Sequence, residues 1–131
     1  MINQEYDLLG CEILKEFVHC GYDCSVVWYQ NHFCGYVEIP KHHKLYGKTW
    51  NDEENDEINV YGGITYNQLT DNDTWRFGWD AAHAGDYCIN TSNPNKIELK
   101  QFINSYDDKL WILDMAILET ANLAEQLKKL E

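Results

Sequence analysis

From His32 to Ile39 the chain alternates without a break. Phe33, Gly35, Val37 and Ile39 fall on one side, and His32, Cys34, Tyr36 and Glu38 on the other. Successive side chains of a strand point to opposite faces, so this period of two calls for a pleated segment in a sheet. Pro40 ends it, because proline has no N–H to give to a ladder. Cys24–Tyr29, dense in β-branched and aromatic residues, predicts a neighbouring strand, with Gln30-Asn31 as the tight connection. Cys11–Val18 is less periodic and is read as a strand that turns through His19–Asp23. Ile58–Tyr61 and Thr74–Trp79 read as further strands; the Gly62-Gly63 pair predicts a bulge and Asp71-Asn72-Asp73 a turn.

Past about Asp107 the period changes. Leu110, Leu113, Ile117, Ala121, Ala124 and Leu127 recur at threes and fours, with Trp111, Met115 and Leu118 widening the apolar stripe and Lys128 and Lys129 in the last turn. Ser105-Tyr106-Asp107-Asp108 reads as the capping box of this helix. The expected fold is therefore α+β: a mainly antiparallel β-sheet packed against a long C-terminal α-helix, as a single domain over residues 1–131.

The 22 acidic and 10 basic residues give a net charge of −12. Nucleic-acid binders gain affinity by neutralising phosphates with Lys and Arg, so direct nucleic-acid binding is not expected and a basic partner is. The densest negative stretch is Asn51–Glu57, where Asp52, Glu53, Glu54, Asp56 and Glu57 form the candidate partner-binding patch. No apolar run is long enough for a membrane span, and Met1–Asp7 has neither the basic flank nor the apolar stretch of a signal peptide; the expected location is cytoplasmic. Five cysteines without regular spacing read as buried thiols or metal ligands, and Cys20 and Cys24, four apart, fit strand packing better than a zinc knuckle.

The segment Phe77–Asp86 passes from large aromatics to small residues that carry two carboxylates and one imidazole. Asp80 and His83 are three apart and share a face in any helical turn. His32 and Cys34 share a strand face about 7 Å apart, and one of His42 and His43 is expected to point inward. Cys34, His43, Asp80 and His83 thus form the candidate ligand set of a structural zinc site, with His32 and Asp86 in reserve, since zinc accepts thiolate, imidazole and carboxylate together.

Four stretches, His32–Val37, Pro40–Gly47, Gly62–Thr65 and Gly78–Asp86, resemble the ordered motifs of a family of small phage and prophage proteins: H-x-C-G-Y-V, H-P-L-Y-G, H-G-G-L-T and G-F-D-C-A-H-A-G-D, followed by a terminal helix. Through that likeness the chain is similar to zinc-containing type II-A anti-CRISPR inhibitors of Cas9. The resemblance implies a phage-encoded, non-enzymatic protein that evades host defence by binding Cas9. Among the departures from the pattern, Tyr61 stands for a histidine, Lys44 for a proline and Ala81 for a cysteine. The first removes one imidazole from any metal site the family builds there.

Two other classes fit parts of the sequence. A zinc hydrolase acting on a phosphoester or nucleotide would use Asp86 or His32 as general base, but the chain has no H-E-x-x-H and few cations to meet a developing anion. A nucleotide-sequestering module would stack a base on Trp75, Phe77 or Trp79, with Arg76 as the sole arginine for phosphate.

Overall fold

The computed structural model describes residues 11–48, 58–82, 86–88 and 109–131. Five strands form one antiparallel sheet: β1 (Glu12–His19), β2 (Tyr22–Tyr29), β3 (His32–Ile39), β4 (Tyr66–Leu69) and β5 (Trp75–Asp80), in the order β1-β2-β3-β5-β4. A short parallel pair, β6 (Asp86–Cys88) and β7 (Lys109–Trp111), precedes the helix α1 (Leu113–Lys129), which packs chiefly on β2 and β3. The α+β class expected from the sequence is the one observed. Among the described residues, no helix is long and apolar enough to cross a membrane.

The turns follow the local chemistry. Gln30 and Asn31 both take positive φ, 49° and 67°, and so do Cys20 and Gly21, at 55° and 82°. Paired left-handed residues give the turn whose twist matches that of the flanking strands. Gly62 and Gly63 also have positive φ, but they close a turn with Gly63 N–H bonded to Val60 O at 2.9 Å; the predicted bulge and the strand at Ile58–Tyr61 are not found. The bulge that does occur lies in β1, where the register slips between Ile13 and Lys15. Together with exposed Glu12, Lys15 and Glu16 it makes this edge strand a poor template for another chain.

Alternation sorts the sheet into two faces. Toward the helix lie Val26, Phe33, Val37, Ile39, Phe77 and Trp79, buried with Ala116, Leu123, Ala124 and Leu127. On the far face Val27, Cys34 and Tyr36 form a second buried cluster with Cys11, flanked by Ile13, Tyr29 and Tyr66. The helix turns inward a stripe that shares Ala124 and Leu127 with the expected one and keeps Leu113 and Ile117 half-buried against the core, but is otherwise rotated. Its buried residues are Ala116, Thr120, Leu123, Ala124 and Leu127, while Leu118 is 70% exposed and Leu110 and Trp111 belong to β7. The expected cap at Ser105–Asp108 lies outside the described residues, and the N-cap is Ile112, which makes no side-chain capping bond.

Close approach explains the choice of small residues. At Gly35 an added Cβ would lie 2.0 Å from Thr120 Oγ1 and 2.2 Å from Trp79 Nε1. The missing side chain lets Trp79 Nε1 donate to Thr120 Oγ1 at 3.0 Å, and the Thr120 hydroxyl donate in turn to Ala116 O at 2.8 Å. The indole N–H and the hydroxyl are buried, so this relay meets demands that would otherwise oppose docking of the helix.

Candidate functional site

The register places Cys34 directly opposite Asp80, and their side chains share the far face of the sheet. Burial, helped by the nearby Asp80 carboxylate, pushes the Cys34 thiol up to about 12, so it stays protonated near neutral pH. Asp80 Oδ1 accepts the Ala82 N–H at 3.1 Å and thereby shapes the exit of β5. His32 begins the same face, with its ring 6.1 Å from that of Tyr29 and Nδ1 3.4 Å from Gln30 O.

His43 is elsewhere. It is buried on the helix side, where Nδ1 accepts the Leu45 N–H at 3.0 Å and Nε2 lies 2.7 Å from Leu127 O. An acceptor at Nδ1 leaves the proton on Nε2, which donates to a carbonyl in the last turn of α1. Of the two adjacent histidines one does point inward, but it fastens the helix end rather than joining Cys34. Cys34, His43, Asp80 and His83 therefore do not fit one zinc ion as a quartet: His43 lies across the sheet with both ring nitrogens engaged. Cys34 and Asp80 remain side by side, while His83 lies outside the described residues and nothing is described of the Asp86 side chain. Among the described residues, no three His, Cys, Asp or Glu side chains converge to hold a metal. Asp52, Glu53, Glu54, Asp56 and Glu57 also lie outside the described residues.

The far face carries a second polar feature, near the turn between β1 and β2. Glu16 stands opposite Ser25, which stands opposite Tyr36; in the next row that shares this face, Val18, Asp23, Glu38 and Arg76 line up across four strands. Glu16, Val18, Asp23, Ser25 and Glu38 line one groove, whose lining among the described residues includes no cationic side chain. Glu38 is buried and held from below: Thr74 Oγ1 donates to Oε1 at 2.6 Å, and Arg76 Nη2 lies 3.4 Å from Oε2. Arg76 is fully buried and sits over the Tyr36 ring, 5.9 Å from its centroid. The guanidinium expected to serve phosphate in a nucleotide module is thus spent on an internal carboxylate.

Placing Asp23 directly opposite Glu38 sets two carboxylates on one face, an arrangement that costs stability. Arg76 offsets part of that cost. The groove was not foreseen because its residues come from three strands; only the placement of Glu38 on the Cys34 face was legible beforehand. Comparison with protein families, with curated proteins and with solved structures finds no match for this chain.

Proposed function

We propose that the chain is a non-catalytic, phage-encoded anti-defence protein that works in the cytoplasm of the host bacterium. In this reading its acidic surface binds a nucleic-acid-handling defence nuclease and hinders the loading of nucleic acid. The observation that carries the proposal is the net charge of −12, part of which is presented by exposed Glu12, Glu16 and Asp23 along the β1–β2 side of the sheet. Carboxylates held on a sheet compete with phosphates for the same Lys and Arg side chains. The motif likeness supplies Cas9 as the leading target.

The test is cleavage of a target DNA by Cas9 with the protein added before or after the guide RNA. Inhibition that is strongest before loading, and that is lost on reversing Asp52, Glu53, Glu54, Asp56 and Glu57 to lysine, supports the proposal. Undiminished cleavage at saturating protein removes Cas9 as the target, and inhibition untouched by the reversal removes that loop as the contact.

Zinc belongs to the proposal as a stabilising element, held by Cys34 and Asp80 with His83. Plasma mass spectrometry of protein purified without added metal tests it. About one zinc per chain, lost in Cys34→Ser and His83→Ala, is the expected result; metal-free folded protein removes zinc from the account.

A further inference from the structure

Leu118 is the large apolar residue that the fold does not use. It stands in the middle of α1 and is 70% exposed, while the buried line of the helix runs through Ala116, Thr120, Leu123, Ala124 and Leu127. At about 100° per residue, Leu118 points almost directly away from that line and from the sheet beneath it. A single exposed leucine needs no explanation, but this one has company. With half-buried Met115, buried Trp111 and the side chain of Glu119 it lines a shallow groove along the N-terminal half of the helix. The Trp111 ring is fixed by contacts with the rings of Tyr61 and Trp79, at 4.9 and 5.0 Å, and so gives the groove a rigid wall. Its volume is 250 Å³, below the roughly 300–1,000 Å³ of sites that enclose a small molecule, and it suits one protruding side chain better.

Charge decides what can bring that side chain. Around the helix axis Asp114 lies about 40° to one side of Leu118 and Glu119 about 100° to the other, so a carboxylate stands on each flank of the apolar stripe. Glu119 accepts from the Asn122 amide at 2.7 Å, and among the described residues neither carboxylate has a cationic partner. The helix carries no Lys or Arg before Lys128. A second copy of the chain docked on this stripe would bring four carboxylates to one seam, with no cation from the same stretch of either helix to offset them. A partner element that sets an apolar side chain between Lys or Arg residues meets both demands. An amphipathic helix has that layout and can lie along the two turns that the groove spans.

We propose that the groove of Trp111, Met115 and Leu118 receives one apolar side chain of a basic amphipathic helix on the partner, whose flanking Lys or Arg residues meet Asp114 and Glu119. The inference rests on the reading of the chain as a binder of a basic protein, and it names a contact for it.

The probe is a blocked helical peptide of leucine and lysine, with leucines at i, i+3, i+4 and i+7, titrated into the full chain and followed by NMR of the Leu118 and Met115 methyls and the Trp111 indole. Shifts centred on those three residues are expected. Leu118→Ser weakens binding about tenfold, the lower end of what a buried leucine supplies, and Asp114→Asn and Glu119→Gln about threefold each, as for exposed ion pairs. All three side chains lie off the buried line of α1, so each variant is expected to keep the remaining amide spectrum. Shifts spread over acidic residues elsewhere, or binding unchanged in Leu118→Ser, overturn the proposal. So does a peptide with glutamate in place of lysine that binds as tightly. Dimerisation of the chain in sedimentation, abolished by Leu118→Ser, assigns the groove to a second copy and overturns it too. Peptide binding at the groove without binding of guide-free Cas9 removes Cas9 from the wider reading and leaves the groove. Full Cas9 binding by Leu118→Ser overturns the groove as the contact and leaves the wider reading.

Discussion

Replacing Gly35 by alanine is expected to uncouple the helix from the sheet. The new Cβ would stand 2.0 Å from Thr120 Oγ1, 2.2 Å from Trp79 Nε1 and 2.9 Å from Trp79 Cε2, where ordinary contacts run from 3.4 to 4 Å. Relief therefore requires a displacement of more than about 1 Å in a packed interior, and such overpacking costs roughly 1–3 kcal/mol. Neither neighbour is the far end of a flexible side chain: Thr120 is fully buried on α1 and Trp79 is 1% exposed. Moving them apart breaks the bond between Trp79 Nε1 and Thr120 Oγ1 and leaves a buried donor unsatisfied, a further cost of about 1–3 kcal/mol. The sum is about 4 kcal/mol, a large share of the roughly 5–15 kcal/mol that stabilises a domain. At a few degrees per kcal/mol for a chain of this length, Tm should fall by roughly 15 °C in a thermal melt followed by circular dichroism. Gly21→Ala is the control. A Cβ there meets nothing within 4 Å, and only the positive φ of 82° opposes it, at about 1 kcal/mol. A Gly35→Ala melt within about 3 °C of the wild type would refute this account of how the helix docks.

The buried pair and the chain end give two further outcomes. Arg76→Gln leaves Glu38 charged in a buried site and should cost about 3 kcal/mol in urea unfolding, while adding Glu38→Gln should recover part of that loss; an additive double variant would show that the two residues do not interact. The Glu131 carboxyl accepts from Tyr22 Oη and lies near Lys128 and His42, and these partners, Tyr22 foremost, hold it down to about 2 from 4.5. Its contribution is therefore fully present above about pH 4.5 and is lost as the pH falls toward 2. Tyr22 fluorescence and the melt should respond across that window, and the response should flatten in Glu131→Gln; an unchanged profile would assign the acid sensitivity to other carboxylates.

The sheet was legible because a period of two leaves little choice. The alternation at His32–Ile39 separates Phe33, Val37 and Ile39 from Cys34, Tyr36 and Glu38, as observed; that the first set meets the helix came only from the structure. The helix was legible as an element but not in its rotation. Weighting large apolar residues favoured Leu118 and Ile117, whereas the buried stripe is built on Ala116 and Thr120, whose small size suits the approach at Gly35. His43 could not be read from sequence, since its partner is a carbonyl 84 residues away. The acidic groove was hidden for the same reason: Glu16, Asp23 and Glu38 meet only through the register of three strands.

The central claim is that acidic charge directs this protein to a basic surface from which it excludes nucleic acid. The most direct test is a titration of guide-free Cas9 with the protein at 0.1 M and at 1 M salt, between which the screening length falls from about 10 to about 3 Å. The account predicts binding that weakens by at least about tenfold across that range and that guide RNA displaces. Binding indifferent to both salt and guide RNA would contradict it.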